Sequence, residues 1–355
     1  MSTYILMDGL NLYHRARHCG GGSLDLKVGM SLHIMFNSIR KAYRDLGGDH
    51  VVLVLDGRSW RKDHYAPYKR NRAVARAALT PREQEEQEVF MEAFNSMTEL
   101  FLGKTNATVL QCECAEADDL IAMWIDLHPD DNHVIVSSDS DFVQLVAPNV
   151  RLFNGISGVT YAHDHVLDEK DRRCEFEVTS HGKVKVGAVN PDFQAPPGWQ
   201  ELALFIKCVR GDKSDNVFPA YPGARFKGTR NRVGILEAYQ DQDNGGYNWN
   251  NFMLQRWNDE NGQSRLVREE YQRNRELVDL RAQPEQYRER FVLSILGEVV
   301  KPRVSGVGIH FLRFCTQWEL TNISKFPDEY AQILNSPYPG HLSKDIPREP
   351  KGEAQ

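Results

Sequence analysis

Acidic side chains flank apolar segments at several separate points of this chain. Between residues 110 and 141 two apolar segments are accompanied by Glu116, Asp118, Asp119, Asp139 and Asp141. Two carboxylates about 4 Å apart repel by roughly 4 kcal/mol at an effective dielectric near 20, and several such pairs would cancel most of a domain's stability of about 5–15 kcal/mol. A cation is therefore expected here. Because the ligands are hard oxygens without His or Cys, magnesium or manganese is favoured over zinc.

These acids must be positioned by a strand and a helix. The run HVIVSS (133–138) predicts a buried parallel strand that leads directly into Asp139 and Asp141. The run EADDLIAMW (116–124) predicts the start of a helix, where acids suit the positive end of the helix dipole. Ligands of open α/β sheets bind at the carboxyl ends of the strands, so both groups are expected at that edge.

Two further acids end predicted strands. TYILM (3–7) leads into Asp8, and VVLVLD (51–56) ends in Asp56, with a helical pattern over 28–46 between them. Strand, helix and strand in this order predict a right-handed parallel crossover. More strands are predicted at 107–111 and 150–153. The expected architecture is an α/β domain that delivers carboxylates from four places, three of them strand ends.

A basic and aromatic stretch follows the second strand. Residues 57–82 hold a single acid, Asp63, and eight cations: Arg58, Arg61, Lys62, Lys69, Arg70, Arg72, Arg76 and Arg82. This local bias counts for more than the net charge of −6. Because Trp60, Tyr65 and Tyr68 interleave with the cations, the stretch favours base stacking and phosphate contacts over a solvated surface loop.

The rest of the chain is predicted to be core helix, hairpin and basic loop. Phe90, Phe94, Met97 and Phe101 form a helical stripe expected to be core. Residues 155–197 predict either a hairpin joined at His181–Gly182 or a mobile insertion. Residues 199–209 predict an amphipathic helix running into Asp212 and Asp215, a pair that by itself is more often an N-cap or Asx-turn. Residues 246–280 and 287–296 are predicted helical. A cluster without acids then suggests a phosphate grip through backbone and cations: Arg225, Lys227, Arg230 and Arg232.

The composition bounds the class of protein. With 41% hydrophobic and 26% charged residues, the 355-residue chain reads as an ordinary soluble globular protein of one large or two modest domains. Without an apolar run of 18 residues or a signal-peptide pattern, it is expected in the cytoplasm, with no membrane partner. The six cysteines include Cys19, Cys112 and Cys114, show no C-x-x-C spacing and are interpreted as free thiols. His163 and His165 are interpreted as surface histidines.

Six motifs stand in one order along some 210 residues: Asp8–Gly9 with Asn11, Asp56, Tyr68–Lys69 with Asn71–Arg72, EADD, SDSD and GDKSDN. This order resembles the flap endonuclease or 5′-nuclease family, within it the phage-type branch that includes the ribonuclease H of T-even phages. Each motif alone is weak to moderate, and six in register are strong.

The resemblance implies a PIN-like nuclease domain with two metal ions, magnesium with manganese as a substitute. Asp8, Asp56, Glu116 and Asp118 resemble ligands of the first metal. Asp139, Asp141, Asp212 and Asp215 resemble the group that holds the second, and Asp119 matches an extra acid of the phage branch. The residues implied to be catalytic are Lys69, Arg72, Asp118 and Asp141.

The resemblance also implies nucleic-acid contacts. Lys69 and Arg72, with Arg70 beside them, match the basic pair at the foot of a helical arch, and Tyr68 and Tyr65 would stack on the terminal base. A helix-three-turn-helix over 199–239 would hold duplex DNA. Many relatives bind potassium there through a glycine-rich PGIG-x-K hairpin, but this chain has PGARFKGTRNR, which argues against potassium.

The expected organisation is a nuclease domain over 1–154 with the arch at about 60–98, an insertion or hairpin over 155–198, a helical DNA-binding domain over 199–336 and a flexible tail over 337–355. The implied activity is 5′ to 3′ hydrolysis of DNA duplex ends, 5′ flaps and RNA primers in RNA–DNA hybrids by a monomer in phage replication, with a single-strand-binding protein or sliding clamp on the C-terminal region. Two alternatives stay open: a PIN-like single-strand ribonuclease, and a non-catalytic replication-associated DNA-binding protein.

Overall fold

A computed structural model of the chain describes residues 1–16 and 23–343. Cys19 and the predicted tail from residue 344 onward lie outside the described residues. Inside them, the other five cysteines are free thiols, as predicted. No helix in these two ranges has the length and apolar character needed to cross a membrane.

Five parallel strands form the centre of the sheet. They are β1 (Thr3–Asp8), β2 (His50–Leu55), β3 (Thr108–Gln111), β4 (Asn132–Val136) and β5 (Val150–Asn154). Their order is β3-β2-β1-β4-β5, and every neighbouring pair is parallel. β2 is buried throughout because helices cover both faces of the sheet, which explains its continuous apolar run. The α/β class and all five predicted strands are confirmed.

Residues 159–189 extend this sheet rather than forming a separate unit. The strands β6 (Val159–Ala162), β7 (His165–Leu167), β8 (Arg173–Val178) and β9 (Val184–Val189) continue from β5 as an antiparallel meander, which brings the sheet to nine strands. The predicted hairpin with its turn at His181–Gly182 is confirmed as β8 and β9. Gly182 has φ of 74° and lies against α7 (Trp199–Arg210), so the turn packs on that helix.

Helices pack on both faces of the central strands. On one face lie α1 (Gly9–Ala16), α2 (Leu24–Asp45) and α5 (Pro81–Lys104), and on the other lies α6 (Ala117–Leu127). Because side chains alternate along a strand, Leu53 enters the first core and Val52 the second. α5 begins at a Thr80–Glu83 capping box, and the predicted stripe from Phe90 to Phe101 is buried.

Two short helices connect β2 to α5. They are α3 (Arg61–His64) and α4 (Arg70–Ala77). α4 contains no buried residue, and α5 is not buried until Phe90. The part of the predicted arch that does not pack on the core therefore spans about 70–89. From Phe90 onward the apolar stripe packs α5 against the core.

The second half of the chain differs from the expected helical domain over 199–336. After α7 come α8 (Ile235–Gln240), α9 (Tyr247–Met253), a hairpin of β10 (Arg256–Asn258) and β11 (Ser264–Leu266), and α10 (Val267–Val278), then α11 (Glu285–Val299), α12 (Val307–Gln317) and α13 (Pro327–Asn335). The hairpin interrupts the stretch predicted to be helical over 246–280.

Residues 285–335, expected in the same helical domain, form α11 to α13 and pack on the α/β domain. Phe291 and Ile295 of α11 join the core on the α6 face, while Phe311 of α12 and Tyr330 of α13 join the core on the α2 face. The helical region with a core of its own therefore runs from α7 to α10.

Candidate active site

Acidic side chains meet at the carboxyl-end edge of the parallel sheet. Asp8 ends β1, Asp56 directly follows β2, and Asp139 follows β4. Since β2, β1 and β4 are neighbours, their ends bring these three carboxylates together. The charges of Asp56 and Asp139 both act on Asp8 and raise its pKa, after the larger effect of burial.

Asp8 and Asp56 receive few compensating contacts. Asp8 accepts hydrogen bonds from the Ser137 hydroxyl at 2.8 Å and from the Asn11 backbone N–H at 3.4 Å. Burial and the neighbouring Asp56 raise the pKa of Asp8 to about 7. Burial also raises the pKa of Asp56, which accepts from the Ala117 backbone N–H at 2.8 Å. Buried carboxylates side by side favour a nearby cation.

Glu116 lies at the N-terminus of α6 and is strongly bound. It accepts hydrogen bonds from Ser59 at 2.9 Å, Tyr68 at 2.7 Å and Arg61 at 3.2 Å, and it pairs with the Lys69 ammonium. Burial alone would raise the pKa of this carboxyl, but Lys69 and Arg61 outweigh burial and lower it to about 2. Glu116 is therefore held ionised.

The two aspartates that follow Glu116 have different surroundings. Both oxygens of Asp119 accept from Arg61, at 2.9 and 2.8 Å, and they also receive Trp60 Nε1 at 3.2 Å and Gln283 Nε2 at 3.1 Å. Protein donors therefore occupy both oxygens of Asp119, and its role as a metal ligand stays a prediction. For Asp118, burial raises the pKa well above its usual range, and Arg61, at 4.0 Å, does not outweigh this effect.

A second acidic group surrounds Lys207 of α7. The ammonium of Lys207 pairs with Asp141 and, at 2.8 Å, with Asp212. This charge lowers the pKa of Asp212 against the opposing effect of burial, and the two acids raise the pKa of Lys207 in turn. Asp139 accepts from the Asp141 backbone N–H at 3.0 Å, and burial followed by the Asp141 charge raises the pKa of Asp139 to about 6.

Asp215 connects the two groups. It accepts from the Tyr68 hydroxyl at 3.0 Å, pairs with Arg72, and lies 3.5 Å from the Lys69 ammonium. Since Lys69 also pairs with Glu116, this lysine lies between acids that are 99 positions apart in the sequence. The charge of Asp215 also reaches Asp139 and contributes to raising its pKa.

The structure thus brings the acids predicted to be ligands close to one another. Among them, Asp119 is hydrogen-bonded to Arg61 through both of its oxygens. Within residues 1–16 and 23–343, no three His, Cys, Asp or Glu side chains are already arranged around one metal position, so ion binding would require side-chain adjustment. The donor set nevertheless fits a hard divalent cation. At this site, Asp8, Asp56, Asp118 and Asp139 are carboxylates whose pKa burial raises and which no lysine directly contacts.

The predicted stacking role of the two tyrosines is not supported. Tyr68 is 4% exposed, and its ring packs beside Cys208, Val217 and Leu277. Its hydroxyl donates to the acids described above, so the ring is unavailable for stacking on a base. Tyr65 is partly exposed, but the Arg273 guanidinium lies 5.0 Å from its ring centroid.

The basic residues of the predicted arch lie on α4 or directly before it. Arg70 and Arg72 are exposed on α4, and Lys69 precedes that helix with φ of 51°. This φ is uncommon for a residue other than glycine, and the Lys69 backbone N–H donates to the Asp215 carbonyl at 2.8 Å. The contact with the Asp215 backbone fixes the foot of the arch at the acidic site.

The basic loop before α8 exposes its cations but not its amides. Each of the four predicted contacts is exposed: Arg225, Lys227, Arg230 and Arg232. The backbone N–H groups of Gly228 and Gly234, however, donate to the Glu237 carboxylate at 2.9 to 3.1 Å. The backbone part of the predicted phosphate grip is therefore corrected at these two amides, because an acid of the same chain already occupies them.

Two residues of the site were missed by the sequence reasoning. Lys207 lies five positions before Asp212 on an amphipathic helix, and only that spacing could have indicated it. Arg61 was counted as one cation of a basic stretch, although it is 1% exposed. Its position next to Trp60 was the available signal, because a large apolar neighbour favours burial.

Parts of this chain are similar in sequence to known proteins. Residues 3–172 match the family model for the 5′-3′ exonuclease N-terminal, resolvase-like domain. DNA polymerase I of Rhizobium leguminosarum is 27% identical over 198 residues, covering 55% of this chain and 15% of the polymerase. Flap endonuclease Xni of Shewanella loihica is 29% identical over 159 residues, covering 43% of this chain and 56% of that protein. The chain thus spans less than two thirds of these relatives.

Solved structures share the fold. The bacteriophage T5 flap endonuclease, crystallised as a pseudo-enzyme–product complex with DNA and metal ions, has a TM-score of 0.54 at 20% identity, covering 83% of this chain and 98% of that one. The T5 5′-exonuclease with bound zinc gives the same TM-score at 19% identity, covering 83% and 99%. The likeness extends past the matched domain into the helical region.

Proposed function

We propose that the chain, whose residues 3–172 match the 5′-3′ exonuclease N-terminal domain, is a nuclease of the flap endonuclease or 5′-nuclease family that hydrolyses phosphodiester bonds of DNA near a 5′ end, leaving a 5′-phosphate. The observation that carries the proposal is the joining of acids from both halves of the chain at one sheet edge. Asp8 and Asp56 come from the parallel strands, whereas Asp212 and Asp215 come from the helical region and reach the same site through Lys207 and Lys69.

The acids would hold divalent metal ions, which we propose to be magnesium, with manganese able to substitute. Asp8, Asp56, Glu116 and Asp118 would form one ligand group, and Asp139, Asp141, Asp212 and Asp215 the other. When bound, such ions lower the pKa of a water molecule and neutralise charge on the phosphate and the leaving oxygen. The buried, closely spaced acids support this proposal, because burial and then neighbouring carboxylates raise the pKa of Asp8 and Asp118, and a bound cation would oppose both effects.

Cations of the chain would bind and orient the substrate. The ammonium of Lys69 and the guanidinium of Arg72 already pair with site acids, so either can turn to a phosphate oxygen placed among those acids and stabilise its charge. Arg70 and the exposed α4 would contact the single strand. The four exposed cations before α8 would contact the duplex backbone and fix its register.

We further propose that 5′ flaps, duplex ends and RNA primers in RNA–DNA hybrids are substrates, as removal of primers in phage replication requires. The protein would act as a monomer, with its C-terminal region recruiting a single-strand-binding protein or sliding clamp. The exposed α4 supports a flap substrate, since a strand with a free 5′ end can lie along it.

A cleavage assay tests the activity. Purified protein is mixed with a 5′-labelled flap, a nicked duplex and an RNA-primed duplex, each with and without magnesium. Magnesium-dependent release of 5′-phosphorylated product is expected, together with its loss in Asp141→Asn and Asp212→Asn. Asp259→Asn is the matched control, because Asp259 pairs with Arg265 at 2.9 Å beside the β10–β11 hairpin.

The same assay separates the alternatives. Cleavage of single-stranded RNA that survives Asp212→Asn would favour a PIN-like ribonuclease, for which the four acids of the first group suffice. DNA binding in chelator, without cleavage at any metal concentration, would favour a non-catalytic replication protein. Either outcome would overturn the proposal.

A further inference from the structure

Arg61 is a buried cation at the junction of three parts of the chain. It begins α3, directly after the loop that follows β2, and only 1% of its side chain is exposed. Its guanidinium lies 4.9 Å from the Trp60 ring and 6.0 Å from the Tyr68 ring, measured to the centroids. A buried guanidinium in contact with two aromatic side chains has few orientations available, so its hydrogen bonds are directionally fixed.

The Arg61 guanidinium binds two acids at the start of α6. Nη1 donates to Asp119 at 2.9 Å and to Glu116 at 3.2 Å, while Nη2 donates to the second oxygen of Asp119 at 2.8 Å. The ion pair with Asp119 is thus bidentate, a geometry that arginine provides and lysine does not. Asp119 also accepts the Glu116 backbone N–H at 3.1 Å. Both the side chain and the backbone of Glu116 are therefore held by the Arg61–Asp119 pair.

Arg61 also binds the end of α10, and Asp119 binds the connection from α10 to α11. Arg61 Nε donates to the Leu277 carbonyl at 2.8 Å, and Gln283 donates to Asp119 at 3.1 Å. This connection follows the helical region that supplies Asp212 and Asp215. The same pair thus touches the β2 loop, the start of α6 and the end of the helical region.

We propose that Arg61, through Asp119, is a positioning residue that sets the orientation of Glu116 and thereby the affinity of the first acid group for divalent cations. The inference rests on the proposed nuclease function and adds to it a residue that contacts neither substrate nor metal. Asp119 acts as the partner that locks Arg61, and its carboxylate is not a ligand. Substitutions of residues that orient metal ligands typically reduce metal affinity or activity about 10–100-fold.

The test compares Arg61→Lys, Arg61→Gln and Asp119→Asn with the unchanged protein. Lysine keeps the charge but loses the bidentate pairing. The measurements are manganese binding by calorimetry, the magnesium concentration at half-maximal cleavage, kcat and KM for a 5′-flap duplex, and the thermal midpoint. The matched control is Arg40→Lys, because Arg40 pairs with Glu329 and packs on Phe326 on the α2 face, where its role is structural.

Arg61→Lys is expected to weaken manganese binding about 10-fold and Arg61→Gln up to about 100-fold, with KM for DNA unchanged within about twofold. Asp119→Asn should resemble Arg61→Lys, because it removes the charge that locks the guanidinium. Arg40→Lys should lower the thermal midpoint without changing manganese binding.

Manganese affinity unchanged in Arg61→Gln, with only a lower thermal midpoint, would overturn the inference and leave Arg61 a stabilising residue. Complete loss of manganese binding in Asp119→Asn, with normal binding in Arg61→Lys, would show that Asp119 is a ligand after all. A protein without any metal-dependent cleavage before substitution would instead refute the proposed function, so the two failures are distinguishable.

Discussion

The hydroxyl of Tyr68 donates a hydrogen bond of 2.7 Å to Oε2 of Glu116. The Tyr68 hydroxyl oxygen also lies 3.0 Å from Oδ2 of Asp215, on the other half of the chain. A phenol has one proton, so the two carboxylates compete for it. Burial raises the pKa of Tyr68 well above its usual range, which keeps this proton in place at neutral pH.

Tyr68→Phe should therefore reduce activity although it leaves an aromatic ring. Loss of a hydrogen bond to a charged group costs about 1.5–3 kcal/mol, which corresponds to a decrease in kcat of about 10-fold or more. Steady-state kinetics on a 5′-flap duplex provide the measurement. If the ring stacked on a base, phenylalanine would serve equally well, and full activity in this variant would restore the stacking role. Tyr330→Phe is the control, since its hydroxyl donates to Asn37 at 3.0 Å in the core near α2.

Lys207→Gln should increase the dependence of folding on divalent cations. Asp141 and Asp212 lose their shared counter-charge, so the protein in chelator should have a lower thermal midpoint than the unchanged protein. Added magnesium should then raise the midpoint more than in the unchanged protein, because ligand binding to the native state stabilises it. Differential scanning fluorimetry against magnesium concentration checks this. Lys185→Gln, which breaks an exposed ion pair with Glu177, is the control and should behave like the unchanged protein. If magnesium raised the thermal midpoint of Lys207→Gln no more than that of the unchanged protein, the expectation would be contradicted.

Three buried histidines predict sensitivity to acid. His50, His128 and His133 are fully buried at the end of the sheet opposite the site, and burial lowers the pKa of each from 6.5 to about 4. Because the unfolded chain takes up these protons first, their contribution to stability is complete above pH 6.5 and is lost as the pH falls towards 4. The free energy of unfolding then changes with pH by up to about 4 kcal/mol per pH unit if all three histidines titrate together.

Denaturant melts between pH 7.5 and 4.5 measure this slope. His133→Gln removes one titrating group and should reduce the slope by up to about 1.4 kcal/mol per pH unit. Glutamine is chosen because it keeps a donor for the His128 carbonyl, which His133 contacts at 3.0 Å. His181→Gln, at the exposed hairpin turn, should leave the slope unchanged. A slope that stays the same in His133→Gln would mean that this histidine does not control acid unfolding.

The packing of α12 on the α/β core can be tested with two adjacent residues. Phe311 is fully buried, with ring centroids 5.4 Å from Phe36 and 5.1 Å from Tyr330. Phe311→Ala should lower the free energy of unfolding of the nuclease domain by about 3–5 kcal/mol. Leu312→Ala, at a side chain 39% exposed, should cost far less. Equal effects in denaturant melts would indicate that α12 is not part of this core.

The sequence by itself determined the parallel sheet and the acids at its edge. Continuous apolar runs end in Asp8 and Asp56, and because parallel strands present their carboxyl ends at one edge, a one-dimensional pattern suffices to place those side chains. The core stripe from Phe90 to Phe101 followed from helical spacing in the same way. Periodicity reports which face of an element is buried, and here it did so correctly.

Only the tertiary structure decided which partner each polar group finds. Asp119 and Asp118 are adjacent in the sequence, yet Asp119 is fully occupied by Arg61 and Gln283, while Asp118 is not. Tyr68 is buried and hydrogen-bonded to Glu116, although Arg70 and Arg72, which follow it in the sequence, are exposed. α12 packs against α2 in the core, although the two helices are more than 200 positions apart in the sequence. Hydrogen bonds and ion pairs form between groups that packing brings together, and local spacing carries no information about those long-range neighbours.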